Sequence, residues 1–227
     1  MKIDTSMERL PFITFEGSDG CGKTTQVQLL ANRLDIAGIP FLVTREPGGT
    51  AIGETIRELL QFASQSAGMT PEAELLLFEA SRAQLVRELI KPALERGECV
   101  IADRFFDSTT VYQGVARKLD KKTVRQLNAF AVGDTIPDIT FFIDVDLKTA
   151  QARMKGWRRP DRMEQEADEF YEKVRDGYLE HAKWQKDRIV VIEGWKSQEE
   201  IQSEIWETVL SRFPTLKAAV TKQESPT

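Results

Sequence analysis

The segment that most restricts this chain is Gly17-Ser18-Asp19-Gly20-Cys21-Gly22-Lys23-Thr24, which fits G-x-x-x-x-G-K-[ST] at every position. An apolar run, Phe12 to Glu16, precedes it and reads as a strand. A helical pattern follows, with Val27, Leu30, Ala31 and Leu34 on one face and an end near Gly38. In a strand–loop–helix unit of this kind, glycines let the backbone curl so that N–H groups point at phosphate oxygens. The helix N-terminus adds the positive end of its dipole. Lys23 is then placed to reach the β- and γ-phosphates, and the Thr24 hydroxyl to ligate Mg²⁺. The loop implies a bound nucleoside triphosphate and leaves the acceptor unnamed.

Strand-like runs recur at Phe41 to Thr44, Cys99 to Ala102, Ile139 to Val145 and Arg188 to Ile192. Helical stretches separate them, around Ile52 to Ala63, from Pro71 to Arg96, through Tyr171 and Tyr178, and after a capping box at Ser197 and Glu200. This alternation predicts an α/β fold: a five-stranded parallel sheet with helices on both faces. The expected divisions are an N-terminal extension at 1–10, one domain at 11–213, and a flexible tail at 214–227. Ligands of such sheets bind beyond the carboxyl ends of the strands.

The residues there narrow the chemistry. The second strand runs into Arg45-Glu46-Pro47-Gly48-Gly49-Thr50. The third runs into Asp103-Arg104-Phe105, with Ser108, Thr109, Tyr112, Gln113 and Gly114 close behind. Asp103, ending an apolar strand beside a phosphate loop, is the expected partner of Thr24 at Mg²⁺. Guanidinium groups bind phosphate in a planar, bidentate way, which suits Arg45 and Arg104 to an anionic acceptor. Net charge is −5, and basic residues cluster only between Arg153 and Arg162, so a small anion is expected and nucleic acid is not. No apolar run approaches the roughly 20 residues that span a bilayer. The first ten residues lack an apolar signal core, so a cytoplasmic protein without membrane partners is expected. Cys21 and Cys99 read as reduced thiols, and His181 as a surface residue.

Phe15-Glu16-Gly17, Gly22-Lys23-Thr24-Thr25-Gln26, Arg45 to Thr50, Asp103-Arg104 and Tyr112-Gln113-Gly114 together resemble the bacterial thymidylate kinases, in family order, from about Phe12 to Ile192. The resemblance implies a P-loop kinase with a short lid at about 153–167, ATP as donor, with Gly17 to Thr25 and Arg153 around it, and dTMP as acceptor. It puts Phe78 on the thymine ring and Arg82 against the base, although helical periodicity equally suits core packing for Phe78. Thr109 and Gln113 would line the base pocket, with Glu46, Pro47, Gly48, Ser108 and Tyr112 nearby. Arg45 and Arg104 would hold the dTMP phosphate. Asp19 would meet the sugar or a neighbouring arginine, and Tyr178 would lie under the sugar. Asp161-Arg162-Met163-Glu164 matches the family lid, with Trp157 where an arginine is frequent. A homodimer is also implied.

The reaction so implied needs little acid–base machinery, because a phosphate monoester with a second pKa of about 6 is already nucleophilic at neutral pH. Two anions must be aligned and their charge neutralised. Ser18, Asp19, Gly20 and Cys21 carry no basic side chain, so Lys23 and Arg104 are expected to be aided from the lid group Arg153, Arg158, Arg159 and Arg162, chiefly by Arg158 or Arg159. Two rivals remain: a deoxynucleoside kinase that phosphorylates thymidine with Glu46 as base, and a P-loop switch without an acceptor pocket.

Overall fold

Five runs form one parallel sheet in the order β2-β3-β1-β4-β5. The strands are β1 (Phe12–Glu16), β2 (Phe41–Arg45), β3 (Cys99–Asp103), β4 (Ile139–Asp144) and β5 (Ile189–Glu193). The structure is a computed structural model and describes residues 9–62, 68–155, 162–163 and 166–224. The inner strands are buried on both sides, which is why FITFE, CVIAD and ITFFID are nearly unbroken apolar runs. The edge strands β2 and β5 are less buried, with Val43, Arg45, Val191 and Glu193 exposed.

The pleat sorts β1 between two cores. Ile13 and Phe15 pack with Phe141, Ile143 and Ile192 against α1 (Lys23–Ile36). Phe12 faces the other way, towards Leu85, Ile90 and Phe105. Helices α2 (Ala51–Gln61) and α3 (Pro71–Leu85) follow β2, each capped by a threonine, Thr50 and Thr70, that accepts a backbone N–H. The helix anticipated from Pro71 to Arg96 is not uniform. It widens into a π-helical turn at Val86–Ile90 before α4 (Lys91–Glu95). Pro92 lacks the N–H that an unbroken α-helix would use at that point, and the wider turn absorbs the mismatch. After β3 come α5 (Phe106–Thr109), a second π-helical segment (Thr110–Ala116) and α6 (Lys121–Val132). Then follow α7 (Leu147–Met154), α8 (Asp168–Trp184) and α9 (Gln198–Arg212), the last opened by the Ser197–Glu200 capping box.

Register positions the site. Phe15 and Arg45 both pair with Asp103, so β2 and β3 end level and β1 runs one residue further. Glu16, Arg104 and Glu46 therefore lie side by side at the edge, with Gly17 just beyond. β1 lies between β3 and β4, so the chain crosses to opposite sides after it, and that switch point opens a crevice at the carboxyl edge.

Two expectations need correction. The supposed tail carries a helix, α10 (Pro214–Glu224), because Leu216 and Val220 repeat at helical spacing and bury themselves in the same core as Ile205 and Val209. At the other end, the Arg9 guanidinium ties the N-terminal extension to the sheet through two hydrogen bonds, 2.8 and 2.9 Å, to Asp138. His181 is not a plain surface residue. Its Nε2 lies 2.8 Å from the fully buried carboxylate of Asp107, which also receives two bonds from Arg188.

Since Leu216 is fully buried, Leu216→Ala should lower stability by about 2–5 kcal/mol, read as a shift of the urea midpoint. A change within about 0.5 kcal/mol is what a frayed tail would give.

Candidate active site

Two cavities open at the carboxyl edge of the sheet and share three residues, Asp19, Lys23 and Thr24. The larger, about 880 Å³, is lined by the phosphate loop from Ser18 to Gln26 and by α7 residues including Gln151 and Arg153. The smaller, about 300 Å³, is walled by Arg45, Glu46 and Pro47 after β2, Phe78 on α3, and Asp103, Arg104, Ser108 and Thr109 after β3. Tyr112 and Gln113 complete it from the π-helical segment, which is how two consecutive residues come to face one space.

The loop takes its shape from glycine. Gly22 sits at φ 101° as the residue before α1, a conformation that other residues adopt at a cost. Gly20 is at φ 80°, and a Cβ there would stand 2.4 Å from the Ala150 carbonyl oxygen. Only glycine lets the loop and α7 approach so closely. Lys23 is buried with its Nζ donating to the Ser18 carbonyl (3.1 Å) and to Asp19 Oδ1 (3.2 Å). Arg104 donates to the same Asp19 oxygen at 2.8 Å and to Ser108 Oγ at 3.3 Å. Burial alone would raise Asp19, yet Arg104 and Lys23 hold it far below the usual carboxylate range. Lys23 is itself kept charged: burial and Arg104 oppose the ammonium, and Asp19, Cys21 and Asp103 together outweigh them.

Thr24 donates to Asp103 Oδ2 at 2.5 Å, bringing two hard oxygen ligands together where the cavities meet. Among the described residues no group of three or more His, Cys, Asp or Glu could hold a metal by itself. The pair suits an ion that keeps waters and takes phosphate oxygens, the habit of Mg²⁺.

Arg104 has φ 72°, the left-handed region, where a non-glycine residue is strained. Its neighbours hold it there through Glu16, which sequence reasoning passed over. Glu16 is fully buried. Its Oε1 accepts the Phe105 and Ser108 N–H groups (2.8 and 3.2 Å), and its Oε2 accepts the Ser108 and Tyr178 hydroxyls (2.6 and 2.7 Å). Arg57 was also missed. It lines the smaller cavity and donates to the Pro47 carbonyl at 3.0 Å. It falls between the buried Gly53 and Leu60 on the inner stripe of α2, where an arginine is worth noticing.

Most residues expected at the site line one cavity or the other, including Thr25, Phe78 and Arg153. Arg45 does so while half-exposed and bonded to both oxygens of Glu54 at 2.9 Å. Five residues stand elsewhere. Arg82 is 1% exposed and does not line the cavity. Its guanidinium is spent on Glu46 (2.6 and 2.9 Å), Glu79 (2.7 Å), Thr109 (2.9 Å) and Asn128 (3.2 Å). Tyr178 is buried behind the wall, stacked on Phe142 and bonded to Glu16, and lines neither cavity. The Gly48 N–H faces Ser81 Oγ at 3.2 Å. Arg162 reaches Glu74 at 2.6 Å and the Leu60 carbonyl at 2.9 Å, away from the larger cavity. Gly17 turns the chain into the loop, whose cavity lining begins at Ser18. Arg158 and Arg159 lie outside the described residues. Cys21 and Cys99 are free and buried.

Similarity to known proteins covers most of the chain. The family model described as thymidylate kinase matches residues 15–205. A thymidylate kinase of Fervidobacterium nodosum is 52% identical over 194 residues, spanning 86% of this chain and 95% of that protein. One of Carboxydothermus hydrogenoformans is 48% identical over 86% of this chain and 94% of its own length. The crystal structure of thymidylate kinase from Ehrlichia chaffeensis superposes with a TM-score of 0.72 at 40% identity, covering 89% of this chain and 99% of that one.

Burial against Glu79 raises Glu46 to about 7, and Arg82 offsets this only in part. The folded value is above the ordinary 4.5, so the contribution of Glu46 to stability is complete below that pH and is lost as pH rises towards 7. The stability margin of the parent over Glu46→Gln should therefore shrink between pH 5 and pH 8. Urea unfolding of both proteins across that range checks it, and a widening margin would reverse the assignment.

Proposed function

The chain belongs to the thymidylate kinase family, and from that premise we propose how its residues move the γ-phosphoryl group of ATP onto dTMP, giving dTDP and ADP. The reaction feeds dTTP synthesis. The observation that carries the reading is the meeting of a phosphate-loop cavity with a smaller pocket at Asp19, Lys23 and Thr24. The larger cavity takes ATP, with the loop N–H groups around its phosphates and Lys23 at the β- and γ-oxygens. The smaller takes dTMP, with Phe78 against the thymine ring and Thr109 and Gln113 at the base. Tyr112 lies by the sugar, and Arg45, Arg57 and Arg104 serve the phosphate. Asp19 fixes Lys23 and Arg104 relative to one another, so that donor and acceptor phosphates meet in line.

Thr24 and Asp103 are the residues that would hold Mg²⁺, which would supply positive charge against the donor phosphates. The chain's own cations do the remainder. A lid at about 153–167 is part of the proposal. Arg153 belongs to the donor cavity, where its guanidinium also donates to the Cys21 and Gly194 carbonyls at 3.3 and 2.9 Å. Arg158 or Arg159 supplies the further positive charge, and Arg162, held by Glu74, does not.

The thymidine-phosphorylating alternative is not kept. Its base would be Glu46, whose two oxygens are bound by Arg82 at 2.6 to 3.2 Å. The switch reading falls with family membership. The proposal extends to a cytoplasmic homodimer. Supporting it, α3 packs between α2 and α6 and the three leave apolar side chains exposed: Ile52, Leu59, Leu76 and Phe130. Among the described residues no helix is long and apolar enough to cross a membrane.

Lys23→Met should fold and lose roughly 10²–10³ in turnover, as other single transition-state contacts do. Coupled ADP-release kinetics beside a thermal melt would show it, and near-normal turnover would remove Lys23 from the donor site. Arg104→Ala should raise the KM for dTMP about ten- to a hundredfold, the worth of a charge-assisted hydrogen bond, with a much smaller change for ATP. Equal changes for both substrates would place Arg104 elsewhere.

A further inference from the structure

Gln113 is 2% exposed and lines the acceptor cavity. A glutamine amide has one end that accepts and one that donates, and which end faces a ligand decides what the ligand must offer. Here a neighbour settles the choice. Gln113 Nε2 lies 2.8 Å from Glu74 Oε1, on the first turn of α3. Glu74 is itself 1% exposed. Its other bonds come from Arg117 (3.2 Å to each oxygen) and Arg162 (2.6 Å to Oε2). Burial raises its pKa, but the hydrogen bonds from Arg117 and Gln113 and the charge of Arg117 bring it below the ordinary carboxylate value. An ionised carboxylate only accepts, so the amide NH₂ must face it. Turning the amide over would set two acceptors together in a dry space, which costs far more than a hydrogen bond returns.

We propose that Glu74 is the positioning residue for base selection: by holding the Gln113 NH₂ it turns the Gln113 carbonyl to the cavity, which then requires a pyrimidine whose N3 carries a hydrogen. The inference rests on the acceptor site proposed above. Thymine and uracil present N3–H to such a carbonyl. Cytosine presents an N3 lone pair, so the carbonyl is left facing another acceptor. Sites built on a buried hydrogen bond reject a ligand lacking its partner by far more than apolar fit does. The same carboxylate holds Arg162 beside the acceptor cavity, so the amide's anchor and that segment are tied together.

The test compares kcat/KM for dTMP and dCMP in four proteins: the parent, Glu74→Gln, Gln113→Leu and the double variant. In Glu74→Gln the new amide can pair with Gln113 either way round, so the preference for dTMP should fall by about ten- to a hundredfold, the worth of one buried polar contact. In the Gln113→Leu background the same substitution should move the preference less than about twofold, since it acts through Gln113. A Glu74→Gln enzyme that keeps the parent's preference overturns the proposal. So does an equal loss in both backgrounds, which would mark Glu74 as a packing residue. A parent that phosphorylates neither nucleotide contradicts the acceptor site itself, a separate failure.

Should Glu74→Gln not fold, the unmodified protein still decides. The Gln113 side-chain NH₂ resonances, assigned by their loss in Gln113→Leu, should be protected from solvent exchange with and without dTMP. Protection that appears only on adding dTMP would put the NH₂ in the cavity and overturn the assignment.

Discussion

The active edge depends on a buried carboxylate that touches no substrate. Glu16 ends β1 with no exposure and receives four hydrogen bonds, two from backbone N–H groups and two from hydroxyls. Burial and the charge of Asp107 push its pKa up, and Arg104 works the other way. A carboxylate in a dry interior costs several kcal/mol unless its oxygens are satisfied. Here each oxygen has two donors, and three of the four come from Phe105 and Ser108, the residues flanking α5's start. Glu16 thus clamps the turn after β3 to the end of β1. Arg104 lies just before that clamp in the left-handed region, with its N–H donated to the Phe15 carbonyl at 2.9 Å. Anchored on both sides, a strained residue keeps its guanidinium over Tyr112 and against Asp19.

From that clamp the two cavities acquire a common wall. Asp19 belongs to the phosphate loop and Arg104 to the β3 turn, and their 2.8 Å bond joins the phosphate-loop cavity to the smaller one. The Thr24–Asp103 bond does so a second time. Strand register makes both possible: had that of β3 against β1 slipped by one residue, Asp103 and Arg104 would have exchanged sides of the sheet.

Legibility in the sequence followed the range of the interaction. The phosphate loop, the strands and the caps are local, and Gly17 to Thr24, the five apolar runs and Ser197–Glu200 were readable at once. Asp103 and Arg104 followed from the rule that such sheets act at their carboxyl edge. What escaped was set by partners far along the chain. Arg82 and Glu46 are 36 positions apart, and Tyr178 and Glu16 are 162 apart. No periodicity reveals that each is spent inside the wall instead of on a ligand. The helix at Pro214–Glu224 was lost to its polar composition, though Leu216 and Val220 had the spacing of a buried stripe.

The charge arrangement also explains why a phosphate monoester suits the smaller cavity better than a hydroxyl. Each of its cations already has a partner on the chain: Arg45 has Glu54, Arg104 and Lys23 share Asp19, and Arg57 has the Pro47 carbonyl. The protein thereby avoids leaving buried positive charge unanswered. A ligand gains by entering only if it offers these groups something stronger than they have. A dianionic phosphate does, through charge-assisted, bidentate bonds to guanidinium. The hydroxyl of a nucleoside offers one neutral acceptor, too little to compensate for disturbing three ion pairs. Selection for a charged acceptor is therefore built into the contacts the chain makes with itself.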